Sequence, residues 1–242
     1  MNRSSGQNKQ LLISFSGIDG AGKSTQISLL RRALKNDGHR VELITFWDDV
    51  VALKRFREDV GHKVFKGDKG VGSPEAPIRR RDKNVQSPFL TLCRMALYAL
   101  DLLSLRRTIG AVRREENGVG ADVIICDRFI YDELANLKLY NMFTRFYVDA
   151  MLRLAPKPDL AFVLDANPDA AFARKPEYPL EFLHSNREAY LNLARIAGMT
   201  IIPPAPINEA HQDILRHIEQ KRDAELNRDE ADPVMTRKPF AA

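Results

Sequence analysis

The sequence predicts an α/β fold with a five-stranded parallel sheet and helices on both faces. Five short apolar runs alternate with longer segments of helical periodicity, an order typical of doubly wound sheets. Each run is apolar along nearly its whole length, which indicates strands that are covered on both faces. The predicted strands are residues 11–15, 41–46, 121–126, 160–164 and 200–202.

Helical patterns fill the intervals between these runs. Ligands bind such sheets outside the carboxyl ends of the strands. The loops that begin near residues 16, 46, 127 and 165 are therefore the places to look for chemistry. The predicted helices are residues 23–35, 89–114, 140–153, 179–197 and 208–221.

Length and composition favour a single domain over residues 1–221. A chain of 242 residues with 44% hydrophobic content can bury one sizeable core. Residues 54–86 are rich in Gly, Lys and Arg and are predicted to form a mobile basic insertion, and residues 222–242 a flexible charged tail.

Charge and cysteine usage narrow the partners and the compartment. The net charge of +5 is small against 37 basic and 32 acidic residues, and phosphates on small substrates explain it as well as polyanions do. Aromatic residues are not interleaved with the basic ones, so no nucleic-acid partner is expected. Two cysteines, an amino terminus without an apolar core and the lack of a long apolar run predict a cytoplasmic protein without a membrane span.

The strongest motif lies between the first predicted strand and the first predicted helix. Residues 17–25 match the Walker A pattern GxxxxGK followed by Ser or Thr, which predicts the three-layer fold of P-loop NTPases. Glycines let the backbone amides converge on phosphate oxygens at a helix amino terminus. Lys23 is expected to reach the β and γ phosphates of ATP, and Ser24 to bind Mg²⁺. The predicted nucleotide-binding residues are Gly17, Asp19, Gly20, Ala21, Gly22, Lys23, Ser24 and Thr25.

A second polar pair follows the third predicted strand. Asp127 and Arg128 stand where a Walker B carboxylate would lie, beside the phosphate loop. Asp127 could hold Mg²⁺ directly or through water, and Arg128 could neutralise oxygens of the acceptor or of the transferred group. The alternative is an Asp-Arg pair that only caps the end of a strand.

With both motifs placed, the chain resembles the thymidylate kinase family over about residues 11–217. The resemblance rests on the GxDGxGKST loop, the Asp-Arg-aromatic triplet, a lid at about residues 166–178, and an Arg-x-x-Tyr helix from Arg187 to Tyr190. It implies ATP-dependent phosphoryl transfer to a nucleoside monophosphate, most simply dTMP to dTDP, with Mg²⁺. It also implies a homodimer packed through helices.

The resemblance also assigns roles to Arg174 and Asp19. The family places an arginine either in the phosphate loop or in the lid. Because this loop has Gly20 and Ala21, the lid-arginine type is the closer match, with Arg174 as the catalytic arginine and Lys175 beside it. Asp19 resembles the acidic loop residue that contacts the acceptor sugar.

The acceptor half departs from the family pattern. Phe46-Trp47-Asp48-Asp49 stands in place of the family's Arg-Glu-Pro triplet. Tyr98 can stack on a base, but Leu102 replaces an arginine, and Asp132 and Leu137 replace a Ser and a Gln that read the base. A non-nucleotide acceptor, such as a sugar or lipid-linked intermediate, and a nucleotide-binding switch without catalysis therefore stay open as alternatives. The predicted acceptor residues are Asp19, Asp48, Arg94, Tyr98 and Asp132.

Overall fold

The computed structural model describes residues 10–53, 87–114, 120–137 and 142–231. The predicted basic insertion at residues 54–86 and the last part of the predicted tail, residues 232–242, lie outside the described residues.

A parallel sheet with the strand order β2-β3-β1-β4-β5 forms the centre of the molecule. The predicted α/β class and the five parallel strands are confirmed. The second strand is one residue shorter than predicted, because the chain turns into a short π-helical segment, Phe46–Val50. The strands are β1 Leu11–Ser16, β2 Val41–Thr45, β3 Val123–Asp127, β4 Leu160–Leu164 and β5 Thr200–Ile202.

All five predicted helices are present, and two short ones were not predicted. The two short helices, α3 and α5, directly follow β3 and β4 and lie at the ligand-binding edge of the sheet. The last helix continues past the predicted domain end at residue 221. The helices are α1 Lys23–Asn36, α2 Pro88–Arg113, α3 Ile130–Ala135, α4 Met142–Leu154, α5 Pro168–Arg174, α6 Leu180–Ala197 and α7 Ile207–Ala231.

Local sequence explains where α5 begins and where α6 ends. Asn167 caps α5, because its side-chain oxygen accepts hydrogen bonds from the backbone N–H of Asp169 at 2.8 Å and of Ala170 at 3.2 Å. Pro168 occupies the first helical position, where a missing N–H costs nothing. Gly198 closes α6 in the left-handed conformation. The cap at Asn167 and the turn at Gly198 therefore set where α5 begins and where α6 ends.

Two hydrophobic cores cover the two faces of the sheet. On one face α1 and α7 pack against Leu11, Ile13 and neighbouring strand residues. On the other, α2, α3, α4 and α6 pack against Leu12, Ile124 and their neighbours. Alternate strand residues therefore enter different cores, which is why the strands read as continuous apolar runs.

Helix α2 has one buried face and one exposed apolar face. Phe89, Leu92, Leu100 and Leu103 are 72%, 58%, 44% and 52% exposed. Among the described helices, α2 alone is long and apolar enough to span a membrane by length and composition. Core helices of other proteins pass the same test, so this finding establishes no membrane span.

Candidate active site

The carboxyl ends of β1, β3 and β4 meet at one edge of the sheet. The phosphate loop leaves β1, the Asp127-Arg128 pair leaves β3, and the segment that leads into α5 leaves β4. The register pairs Phe15 with both Asp127 and Phe162, so the three strands end close together. This edge carries most of the predicted site residues.

The phosphate loop has the backbone shape that its glycines predict. Gly17, Gly20 and Gly22 have φ angles of 140°, 82° and 89°. A Cβ on Gly17 would lie 2.5 Å from the carbonyl oxygen of Leu164, and one on Gly20 would lie 2.5 Å from that of Ala171. The loop is therefore wedged between the end of β4 and α5, and Gly17 and Gly20 leave no room for a side chain.

Lys23 is held inside the loop. Its ammonium donates hydrogen bonds to the carbonyl oxygens of Gly17 at 2.7 Å and Ile18 at 2.9 Å, and the residue is 6% exposed. Burial, helped by the charge of Arg128, lowers the pKa of Lys23 to about 8, although nearby aspartates oppose the shift. A bound polyphosphate would restore the missing counter-charge.

The predicted metal ligands lie on two adjacent elements. Ser24 is exposed in the first turn of α1, and Asp127 is the last residue of β3. Burial raises the pKa of Asp127, while the positive charges of Lys23, Arg128 and Lys175 oppose the rise. A hydroxyl and a carboxylate are hard oxygen donors of the kind Mg²⁺ takes alongside phosphate oxygens and water, so these residues fit that ion. Among the described residues, no cluster of three His, Cys, Asp or Glu side chains forms a self-sufficient metal site.

Arg128 is the most constrained cation of the site. Its φ angle is 68°, a left-handed conformation that costs a non-glycine residue about 1–2 kcal/mol. Its backbone N–H donates to the carbonyl oxygen of Phe15 at 3.0 Å. Its guanidinium bonds to Asp19 and lies 3.5 Å from the carboxylate of Asp132. Burial alone would lower the pKa of Arg128, but the two aspartates outweigh it and hold the pKa well above its usual value.

The predicted lid, residues 166–178, falls on α5 and the short segments on either side of it. Arg174, the predicted catalytic arginine, is exposed at the last residue of α5. Its neighbour Lys175 points its ammonium to within 3.2 Å of Glu177, which is 1% exposed, and its charge reaches Asp127. The sequence did not predict a catalytic role for Lys175. Its position next to Arg174 in the predicted lid could have indicated one.

An ion pair that was not predicted joins the end of β4 to α6. Arg187 donates two hydrogen bonds of 2.6 Å to the carboxylate of Asp165. This bidentate contact raises the pKa of Arg187. The Arg-x-x-Tyr pattern indicated that Arg187 and Tyr190 share one face of α6, because residues three apart lie on the same side of a helix. Tyr190 also faces the site, since its hydroxyl bonds to Asp132.

The remaining predicted acceptor residues lie on the π-helical segment and on α2, which pack against each other. Asp48 is exposed, Arg94 is partly buried, and Tyr98 is buried in the core between α2 and the sheet. Their role at the acceptor stays a prediction.

Comparison with known proteins gives consistent results. No family model matches the chain. A probable thymidylate kinase from Methanosphaera stadtmanae is 28% identical over 215 residues, covering 86% of this chain and 96% of that protein. A thymidylate kinase from Dinoroseobacter shibae is 29% identical, covering 86% and 95%. The crystal structure of thymidylate kinase from Ehrlichia chaffeensis has a TM-score of 0.53 at 19% identity, covering 87% of this chain and 98% of that one.

The fold, the phosphate loop and these relatives together define a P-loop kinase of the nucleoside monophosphate kinase class. Within that class, the chain is similar to thymidylate kinases along most of its length.

Proposed function

We propose that this protein transfers the γ-phosphoryl group of ATP to dTMP, forming ADP and dTDP. The observation that carries the proposal is the glycine loop closed around the buried Lys23, next to the Arg128–Asp19 pair. The named relatives, similar along most of the chain, support dTMP as the acceptor. A cytoplasmic location stays a prediction.

The donor half would bind the triphosphate through backbone and charge. The loop amides and the amino end of α1 would surround the β and γ phosphates, since both offer partial positive charge. The ammonium of Lys23 would exchange its two carbonyl contacts for phosphate oxygens, which are stronger acceptors. Ser24 and Asp127 would hold Mg²⁺, which neutralises charge on the phosphate oxygens when bound.

The transfer itself needs positioned charge more than covalent chemistry, because the transferring phosphoryl group spreads charge over its oxygens. Arg128 would stabilise that charge from the β3 side. Asp19, bonded to the same guanidinium, would accept a hydrogen bond from a hydroxyl of the acceptor sugar. Lys175, together with the predicted Arg174, would supply positive charge from the lid side and help exclude water.

The experiment measures ADP formation by the purified protein with ATP and Mg²⁺, offering dTMP beside the other nucleoside monophosphates. Lys23→Ala is expected to abolish turnover with the fold retained. Lys35→Ala, at the exposed end of the same helix, is the matched control and should keep wild-type activity. If the protein binds ATP but forms no ADP when any of the nucleoside monophosphates is offered, the proposal is contradicted.

We also propose that two copies of the chain pair through the exposed apolar face of α2. Four large side chains on that face are more than two-fifths exposed, and the resemblance to the family favours a homodimer. Leu103→Asp places a charge in the middle of the face and should shift the protein to monomers in light scattering after gel filtration. A wild-type protein that is monomeric at micromolar concentration would refute the dimer.

A further inference from the structure

Asp132 is a buried carboxylate whose hydrogen-bonding capacity is used up by protein groups. It is 3% exposed in the first turn of α3. One oxygen accepts from the hydroxyl of Ser16 at 2.6 Å and the backbone N–H of Phe129 at 3.0 Å. The other accepts from the hydroxyl of Tyr190 at 2.8 Å and faces Arg128 at 3.5 Å. An ionised carboxylate has about four lone-pair sites, so none is left for a substrate.

The four partners of Asp132 come from three separate parts of the chain: the end of β1, the link between β3 and α3, and α6. Ser16 ends β1, Arg128 follows β3, Phe129 precedes α3, and Tyr190 lies on α6. A carboxylate buried without partners would cost several kcal/mol, so the residue is stable here only because all of these groups converge on it. Burial and the charge of Asp132 also raise the pKa of Tyr190 well above 10, which keeps the phenol protonated and able to donate.

The guanidinium of Arg128 is consequently held on two sides. Nη2 bonds to Asp19 in the phosphate loop, and Nη1 faces Asp132 beneath the site. The left-handed backbone at Arg128 fixes where the side chain starts, and the two carboxylates fix where it ends. Asp132 itself is prevented from turning by the two hydroxyls and by the N–H of Phe129.

We infer that Asp132 is a positioning residue, which orients the guanidinium of Arg128 for phosphoryl transfer, rather than the acceptor contact that the sequence predicted. The inference rests on the proposed role of Arg128. It explains how an aspartate can stand where the family has a base-reading serine: the carboxylate serves the catalytic arginine and not the base. Base selectivity must then come from other side chains.

A double-mutant cycle tests the inference. Asp132→Asn keeps the shape of the side chain but replaces one acceptor oxygen with an NH₂ group. The two donors that bonded to that oxygen therefore lose their acceptor. We expect kcat to fall about 10- to 100-fold, with the KM for ATP changed by less than about two-fold. In an Arg128→Gln background the same change should lower kcat by less than about two-fold, because the residue on which Asp132 acts is already gone. Glu133→Gln, the same chemical change one residue further along α3, is the matched control.

A structural role alone would give a different pattern. It would lower activity by the same factor in both backgrounds, and that additivity would overturn the inference. If Asp132→Asn does not fold, Tyr190→Phe removes a single hydroxyl from the carboxylate. Its smaller loss of kcat, about three- to ten-fold, should likewise disappear in the Arg128→Gln background.

A measurement independent of turnover separates this inference from the proposed function. In ¹⁵N NMR of the arginine side chains, the guanidinium of Arg128 should rotate slowly about its Cζ–Nε bond in the wild type and faster in Asp132→Asn. Unchanged rotation would overturn the inference even if dTMP is phosphorylated. Slow rotation in a protein that does not accept dTMP would refute the proposed substrate and leave the positioning of Arg128 in place.

Discussion

Replacing Gly20 with alanine tests how tightly the phosphate loop packs against α5. Gly20 and Gly38 have nearly equal φ angles, 82° and 81°. A Cβ on Gly20 would lie 2.5 Å from the carbonyl oxygen of Ala171, whereas a Cβ on Gly38 would meet nothing within 4 Å. Gly38→Ala, in the turn after α1, is therefore a matched control that carries the backbone strain without the collision.

The two variants should differ in stability by the cost of the collision. Alanine in the left-handed region costs about 1–2 kcal/mol at either position. This lowers the Tm of a chain of this length by about 2 to 8 °C. An ordinary van der Waals contact begins at 3.4 Å, so in Gly20→Ala the loop and α5 must also separate by about 0.9 Å. Forcing extra volume into a packed site adds about 1–3 kcal/mol.

The same displacement should lower activity, because the proposed function assigns the donor phosphates to this loop. A misplacement of about 1 Å can cost up to about 10²-fold, so Gly20→Ala should lose about 10- to 100-fold in kcat/KM for ATP while Gly38→Ala keeps its wild-type value. The assays are thermal unfolding and steady-state kinetics of both variants side by side. Equal loss of stability in the two variants, with unchanged kcat/KM for Gly20→Ala, would refute the packing of the loop against α5.

Two further predictions concern the lid and the sheet. Lys175→Ala should lower kcat by about 10²-fold and Arg174→Ala by less, because the positive charge of the partly buried Lys175 opposes the rise in the pKa of Asp127, whereas Arg174 is exposed at the end of α5. The reverse order in kinetic assays would assign the lid cation to Arg174. Asp122→Asn should destabilise the protein by about 0.5–1 kcal/mol at pH 7. The reason is that the guanidinium of Arg40, just before β2, bonds at 2.8 Å to the carboxylate of Asp122, just before β3. This bond lowers the pKa of Asp122, so its contribution is present above pH 4 and is lost as the pH falls through the folded-state pKa. Urea unfolding at pH 7 and pH 3 checks this, with Asp149→Asn, which removes an exposed helical pair, as the near-neutral control.

Much of the fold could be predicted because its signals are local. The apolar runs and the helical periodicity gave all five strands and the five longer helices to within a few residues at most ends. Only α7 continues clearly further, to Ala231 instead of residue 221. The short helices α3 and α5 have six and seven residues, too few to establish an amphipathic period. Asn167-Pro168 is a helix-start signal that could have identified α5.

The donor half of the site could be predicted for the same reason. The residues of the phosphate loop are consecutive, and Asp127-Arg128 follows a strand that the sequence predicted. A consecutive motif carries its own geometry, because the backbone of a few glycines decides where the amides point. The structure adds what no motif can specify, such as the closeness of Gly20 to Ala171 in the helix after β4.

The role of Asp132 could not be read from the sequence, because it depends on residues that are far apart along the chain. From sequence, an aspartate five positions after the Walker B aspartate stands at a place where the family reads a base, and a substrate contact is the natural prediction. The hydroxyls of Ser16 and Tyr190 favour the positioning role proposed above, since they occupy lone pairs that a base would need. Neither hydroxyl has a spacing relation to Asp132: 116 and 58 residues separate them from it. The orientation of Arg128 is therefore a property of the assembled sheet edge, and a substitution at any of these positions should be felt first at the guanidinium.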